Sequence, residues 1–229
     1  MSEFNISAKV NPLSDQSGRV KAMASVTIDN AITISDMTIV EGSNGLFIGY
    51  PQNKDKDGNY RDIVEFIKDE QGKMTAQSIG LKSKIHKTLI DLYKNGERTT
   101  PEQESKEPVM HDIRAFVTPL RDSQSATKGL ATIQVGELFK VNSIRVNENK
   151  TTKENFVALP SRPDKTSNSG YRRMVRPANE KFGEKLNATI LKRYDIRLER
   201  QNKTNDKAQD KPQSEQDKPA ANKAAPNIE

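Results

Sequence analysis

The sequence predicts an α+β protein built from two tandem copies of one unit, each a small antiparallel sheet of about four strands followed by a C-terminal helix. The first observation is a repeat: GLFIGYPQNKDKDGNYRDIV at residues 45–64 returns as NFVALPSRPDKTSNSGYRRMV at 155–175. The second is that, before this segment, both copies alternate apolar and polar residues, which is typical of half-buried strands. The third is that, after it, both copies change to a helical period.

The strands align between the copies from their first residues. The first copy begins ISAKVNPL at Ile6 and the second begins IRAFVTPL at Ile113. An alternating segment follows in each, VKAMASVTID from Val20 and TKGLATIQVG from Thr127, and the alternation is strict in the first copy. Because side chains alternate across a strand, one face of the predicted sheet is apolar and lies against the helix.

A turn and a helix complete each unit. Asp57-Gly58 and Ser169-Gly170 supply turn residues between extended runs, which predicts a hairpin-like loop in each copy. The segments 84–94 and 185–195 then align without a gap. Their apolar residues recur at spacing four and form one stripe per helix: Ile85, Leu89 and Tyr93 in the first copy, and Leu186, Ile190 and Tyr194 in the second.

These patterns predict four parts: a first unit at 4–95, a linker at 96–110, a second unit at 111–200 and a disordered polar tail at 201–229. The tail has one aliphatic residue larger than alanine, Ile228, so it buries too little surface to offset its ordering entropy. The chain has no cysteine and no apolar stretch of the length that spans a membrane. We therefore expect a cytoplasmic protein that does not contact membranes.

The repeated segment resembles the SpoVG (stage V sporulation protein G, septation protein) family of bacterial regulators. The resemblance covers residues 4–94 and 112–195. The first copy matches the family motif at Asn44, Gly45, Leu46, Phe47, Pro51, Gly58, Tyr60, Arg61, Asp62 and Ile63. The second copy matches at Phe156, Val157, Ala158, Pro160, Ser161, Arg162, Gly170, Tyr171 and Arg172. The second copy departs from the pattern where it lacks the Asn-Gly pair, has Leu159 for the usual methionine, and carries Arg172-Arg173 in place of Arg-Asp.

The resemblance implies a fold, an assembly and a function. Family members resemble one such unit that forms a homodimer, so two fused copies would pair as an internal pseudo-dimer. The alternative is two independent units, like beads on a string, and the sequence leaves open both pairing between chains and higher oligomers. The resemblance also implies DNA binding, in some cases RNA binding, and regulation of septation, sporulation or virulence genes.

Positive charge is concentrated in the second copy. Residues 1–95 hold 12 basic and 12 acidic side chains, whereas residues 111–200 hold 18 and 10. The linker is net negative and the tail is neutral. Because phosphate backbones bind clustered Lys and Arg through counterion release, this asymmetry favours nucleic-acid binding by the second copy.

The predicted nucleic-acid-binding residues lie on the loop, the following segment and the helix of the second copy, which are adjacent in sequence and so predict one continuous surface. They are Arg162, Lys165, Arg172, Arg173, Arg176, Lys181, Lys185 and Lys192. The weaker equivalents in the first copy are Lys54, Lys56, Arg61 and Lys84. The alternative interpretation is a solvated helix face without a ligand. Tyr60 and Tyr171 could stack on bases, but packing against the helix is the favoured interpretation.

The sequence lacks the convergent groups of an active site. His86 and His111 are isolated and are interpreted as surface or linker residues, and Asp55 and Asp57 as turn residues. We therefore predict no catalytic residue, no metal, no cofactor and no small-molecule substrate. The second functional hypothesis is a non-catalytic adaptor that binds a protein and no nucleic acid, and an unrecognised enzyme is a remote third.

Overall fold

The structure, a computed structural model, describes residues 4–55, 57–101, 107–121 and 124–209. The first half contains β1 (Ile6–Pro12), β2 (Val20–Ile28), β3 (Ile32–Gly42), β4 (Gly45–Gly49), β5 (Gln52–Lys54), β6 (Tyr60–Asp62), β7 (Val64–Phe66) and α1 (Ala76–Lys94). The second half repeats this order with β8 (Ile113–Pro119), β9 (Thr127–Val135), β10 (Phe139–Glu148), β11 (Asn155–Ala158), β12 (Ser161–Pro163), β13 (Tyr171–Arg173), β14 (Val175–Pro177) and α2 (Glu180–Gln209). The predicted α+β class and tandem repeat are confirmed.

Each half contributes four antiparallel strands to its own sheet and one strand to the other. The first sheet has the order β1-β2-β3-β14, and β4 pairs with the C-terminal part of β3, beyond the residues that pair with β14. The second has the order β11-β10-β9-β8, with β7 also paired to β10. Thus Val175 lies opposite Ile34, and Val64 lies opposite Val141. The two short strands cross over reciprocally.

This exchange joins the halves into one molecule with a shared interior. Buried side chains of both halves, including Ile34, Val64, Val141 and Val175, belong to one continuous hydrophobic cluster. The internal pseudo-dimer is therefore confirmed, and the beads-on-a-string interpretation is wrong. The sequence pattern predicted the four strands of each sheet and missed the fifth.

Each helix covers the apolar face of its own sheet and is fixed at its start to the other half. The predicted stripes are buried, as at Ile85 and Leu186, except that Tyr93 is partly buried. The N-cap side chain of α1, Thr75, accepts a hydrogen bond from the Ser78 N–H and donates one to the Glu137 carbonyl. Asn179, the residue before α2, likewise accepts a hydrogen bond from the Phe182 N–H. It donates one to the carbonyl of Asn30, in the turn between β2 and β3.

Two predicted boundaries change. The start of the predicted linker pairs with the free edge of β1, where the Val10 N–H donates to the Arg98 carbonyl at 2.8 Å and the Thr100 N–H donates to the Ala8 carbonyl at 3.0 Å. Helix α2 continues to Gln209, so the first residues of the predicted disordered tail are helical, and this segment contains neither glycine nor proline to end the helix. The predicted tail at 210–229 lies outside the described residues.

No helix in the part of the chain that the structure describes combines the length and apolarity needed to span a bilayer.

Candidate nucleic-acid interface

Both predicted hairpins are present. Strands β5 and β6 form one and β12 and β13 the other, with Gly58 and Gly170 in the left-handed backbone region that glycine adopts without strain. In the second hairpin Arg162 lies directly opposite Arg172, so both side chains project from the same face. Arg173 lies opposite Ser161 and projects from the other face.

Arg162 and Arg172 form ion pairs with a carboxylate of the other half. The Nε of Arg162 is 2.7 Å from Oδ2 of Asp36, and the Nε of Arg172 is 3.4 Å from Oδ1. The Asp36 side chain is 6% exposed, whereas those of Arg162 and Arg172 are 43% and 49% exposed. These two arginines therefore fix the hairpin to β3, a role that their prediction as nucleic-acid-binding residues did not include.

Each hairpin also has an internal ion pair. Arg172 lies 3.2 Å from Asp164, and Arg61 lies 3.1 Å from Asp55 at the equivalent place in the first half. Hydrogen bonds from the Thr166 hydroxyl and N–H lower the pKa of Asp164, and the charges of Arg172 and Arg162 lower it further. The Asn59 N–H is the main cause that lowers the pKa of Asp55. Asp55 is thus a turn residue, as predicted, and keeps Arg61 close to its own hairpin.

The helix lysines divide into two groups. The Lys185 ammonium donates a hydrogen bond to the His111 carbonyl at 2.8 Å, and Lys84 makes the equivalent bond to the Phe4 carbonyl at 2.5 Å. Both lysines therefore connect the helix to the start of the sheet, which is a structural contact present in each half. Lys181 and Lys192 are exposed, as predicted.

The other predicted cations of the second half are exposed, but one of them lies on the first sheet. Arg173 and Lys165 lie on the second hairpin. Arg176 lies on β14 opposite Thr33, so the strand exchange places it on the first sheet. None of these three, nor Lys181 or Lys192, forms an ion pair with another described residue. In the first half Lys54 is exposed, and Lys56 lies outside the described residues.

Tyr60 and Tyr171 do not pack against the helices, so the favoured interpretation was wrong. They are 68% and 59% exposed. Their strands are the short hairpin strands, which form separate two-stranded sheets and pair with neither main sheet. The Lys54 ammonium lies 5.9 Å from the centroid of the Tyr60 ring. Aromatic and basic groups thus stand side by side at the surface.

The two histidines take part in tertiary contacts rather than lying free at the surface or in the linker. His86 stacks against Tyr50, with ring centroids 6.0 Å apart, and burial, then the charge of Lys82, lowers its pKa. The Nε2 of His111 lies 2.8 Å from a carboxylate oxygen of the buried Asp29. Across the described residues, no group of three or more side chains is arranged to hold a metal ion.

Asp36 was not predicted from the sequence as a partner of the arginines. One signal was available: Asp36 and Ser143 interrupt the apolar alternation at the same point of each copy, where β3 and β10 have an irregularity in register. Exposed apolar residues on the outer face of the second sheet were not predicted either. Phe116 and Leu130 fall on the polar side of the alternation, and each is about half exposed, at 50% and 49%.

Comparison with known proteins finds one family. A family model described as SpoVG matches residues 3–93 and 110–196. The chain is similar to the septation protein SpoVG of Caldanaerobacter subterraneus, at 31% identity over 96 residues, which are 42% of this chain and 93% of that protein. It is 37% identical over 81 residues to the SpoVG of Acetivibrio thermocellus, covering 35% of this chain and 76% of the relative. A match to the SpoVG of Symbiobacterium thermophilum, at 51% identity over 47 residues, covers 20% of this chain and 34% of the relative.

Proposed function

This chain belongs to the SpoVG family, and from that premise we propose that it is a non-catalytic bacterial regulatory protein that binds DNA or RNA. In this proposal it acts in the cytoplasm, in septation or sporulation-type regulation, and needs no cofactor or small-molecule substrate. The binding surface lies mainly on the second half.

The observation that carries the proposal is the distribution of exposed cations. Lys165, Arg173, Lys181 and Lys192 are exposed and come from the half that holds the excess positive charge. Each Lys or Arg that neutralises a phosphate releases condensed counterions, which favours binding at low salt. An exposed cation that is not held by a carboxylate is available for this contact.

Arg162 and Arg172 have a double role in this proposal. Their ion pairs with Asp36 hold the hairpin in place, yet nearly half of each side chain remains exposed. A phosphate can therefore approach them from the solvent side. Lys185 and Lys84 stabilise the fold and do not contact the nucleic acid.

Binding to labelled random-sequence DNA and RNA across a salt series tests the proposal. We expect binding at about 50 mM salt that weakens steeply as salt rises. Absence of binding at that salt contradicts the proposal. A pull-down of a protein partner that survives nuclease treatment would then favour the adaptor hypothesis.

A charge-matched pair of variants tests the location. One variant changes Lys165, Arg173, Lys181 and Lys192 to Glu, and the other changes four exposed lysines of the first half, Lys68, Lys73, Lys87 and Lys94, to Glu. Both variants alter the net charge equally, so a difference in affinity reports where the nucleic acid binds. We expect the first variant to bind at least tenfold more weakly than the second, since each phosphate contact contributes separately. Equal losses contradict a surface on the second half.

A further inference from the structure

A groove of about 730 Å³ lies on the outer face of the second sheet. Phe116 of β8, Leu130 of β9 and Arg145 of β10 form its floor. Leu130 pairs across the strands with Arg145, and Phe116 is its diagonal neighbour because it pairs with Thr132. The first hairpin, through Lys54, and helix α2, through Arg197, contribute to its walls.

The two halves differ at this place because one set of ion pairs has no counterpart at the equivalent position. In the first half, Asp36 binds Arg162 and Arg172 and so holds the second hairpin against β3. At the equivalent place on the second sheet, Ser143 stands at the position of Asp36, and Asn53 of the first hairpin stands at that of Arg162. Serine and asparagine carry no charge, so this pair cannot draw the first hairpin onto β10. Both Ser143 and Asn53 line the groove instead.

The residues that line the groove indicate which class of ligand it can bind. It combines three cations, Lys54, Arg145 and Arg197, with the exposed ring of Phe116. None of the described residues that line the groove carries a carboxylate. Phosphates complement the cations, and a nucleobase complements the ring, since every base has a face that stacks on an aromatic side chain. In a duplex those faces are already stacked on neighbouring bases, so the ring can reach them only in an unpaired strand.

We propose that this groove binds an unpaired segment of a single-stranded nucleic acid, with a base stacked on Phe116 and phosphates held by Lys54, Arg145 and Arg197. This inference rests on the proposed function and adds the class of ligand and a site that does not include Lys165, Arg173, Lys181 or Lys192, the cations that carry that proposal.

A tryptophan placed in the groove tests the proposal directly, because the sequence contains no tryptophan. In the full chain, Phe116→Trp should give one emission signal that is quenched when a short random-sequence single strand binds. The matched control is Phe47→Trp on β4, where the phenylalanine is similarly exposed, at 44%, but lies on the first sheet. The control signal should not change. Equal quenching at both positions, or at neither, contradicts the proposed site.

Affinity measurements give the second test. Phe116→Ala should weaken single-strand binding about tenfold, because base stacking on an aromatic side chain contributes strongly to affinity. Arg145→Thr, which introduces the residue found at the equivalent Thr38, should lower the salt slope by about 0.7. Phe47→Ala is the control, and the thermal midpoint of each variant shows that it is folded. Binding of a duplex of the same length should be unaffected in all three variants.

The outcomes separate this inference from the proposed function. If the parent chain binds nucleic acid while Phe116→Ala and Arg145→Thr bind single strands as tightly as the parent, the groove is not the site, and the proposed function stands. If the variants lose duplex and single strand equally, the preference for an unpaired strand is wrong. If the parent binds neither, both proposals fail, and binding of an acidic peptide to the groove would identify a different ligand.

Discussion

Asp36 and Ser143 occupy equivalent positions in the two halves and share a left-handed backbone conformation, with φ of 58° and 62°, yet only Asp36 binds arginines. Both lie at a register irregularity, in β3 and in β10. The backbone feature is therefore common to the two halves, whereas the side chain and its ion pairs differ.

Replacing Asp36 by serine should destabilise the protein by roughly 1 kcal/mol, because the variant loses two ion pairs whose arginines are partly exposed. Serine already adopts this backbone conformation at 143, so added backbone strain is small. Urea denaturation measures the change. A double-mutant cycle with Arg162→Ala isolates the pair, and a coupling energy of zero would show that the ion pair does not stabilise the hairpin.

The same Asp36→Ser variant should bind nucleic acid more tightly under the proposed function. It releases Arg162, leaves Arg172 paired with Asp164 alone, and adds one unit of positive charge. Titration at low salt, where such contacts contribute most, measures the gain. Weaker binding would indicate that the position of the hairpin matters more than the charge of its arginines.

The exchange of β7 and β14 predicts that separated halves associate. Co-expressed fragments 1–101 and 107–229 should purify together in a one-to-one complex, since each sheet lacks a strand without the other fragment. Native mass spectrometry measures the stoichiometry. Elution of the two fragments as unrelated species would contradict the reciprocal pairing.

Gly129→Ala should destabilise the second half by roughly 1–3 kcal/mol, as overpacked core positions do. A Cβ at Gly129 would lie 3.1 Å from two ring carbons of the buried Tyr194. Gly18→Ala is the control, because no atom lies within 4 Å of its added Cβ. Thermal denaturation of both variants measures the difference, and equal midpoints would show that Tyr194 moves aside without cost.

His86 should make the protein less stable in mild acid. Its folded pKa lies below the ordinary value of 6.5, because burial and then Lys82 disfavour the charged ring. The unfolded chain therefore binds more protons as the pH falls through 6.5, so the contribution of His86 to stability is complete above that pH and declines below it. His86→Gln should show a shallower loss of stability between pH 7.5 and 5.5, a window around that value. An unchanged slope would contradict this assignment.

Local patterns in the sequence were sufficient for most of the fold. The alternation from Val20 to Ile28 and the helical stripes predicted the sheets and the faces that they bury, because both depend on neighbours a few residues away. Segments 64–66 and 175–177 are too short for their pattern to specify a partner strand. Their exchange is decided by pairing with residues of the other half.

The candidate site was less predictable, because the contacts of its side chains also depend on residues that are distant in sequence. The count of charges showed which half is basic, but not that Arg162 would reach a carboxylate of the other half, or that Lys185 would bond to a backbone carbonyl. Helical geometry correctly predicted exposure of Lys181 and Lys192, since that depends only on their position around the axis. A local pattern of apolar and polar residues does not specify which distant residue a side chain will contact.

The reciprocal crossing of β7 and β14 has an evolutionary consequence. When two identical chains assemble around a twofold axis, every substitution appears at both symmetry-related places. In a single fused polypeptide, one codon change alters one place and leaves its counterpart untouched. The exchanged strands keep the halves together while this happens. The site at Asp36 can therefore keep its ion pairs while the equivalent site at Ser143 acquires a different function.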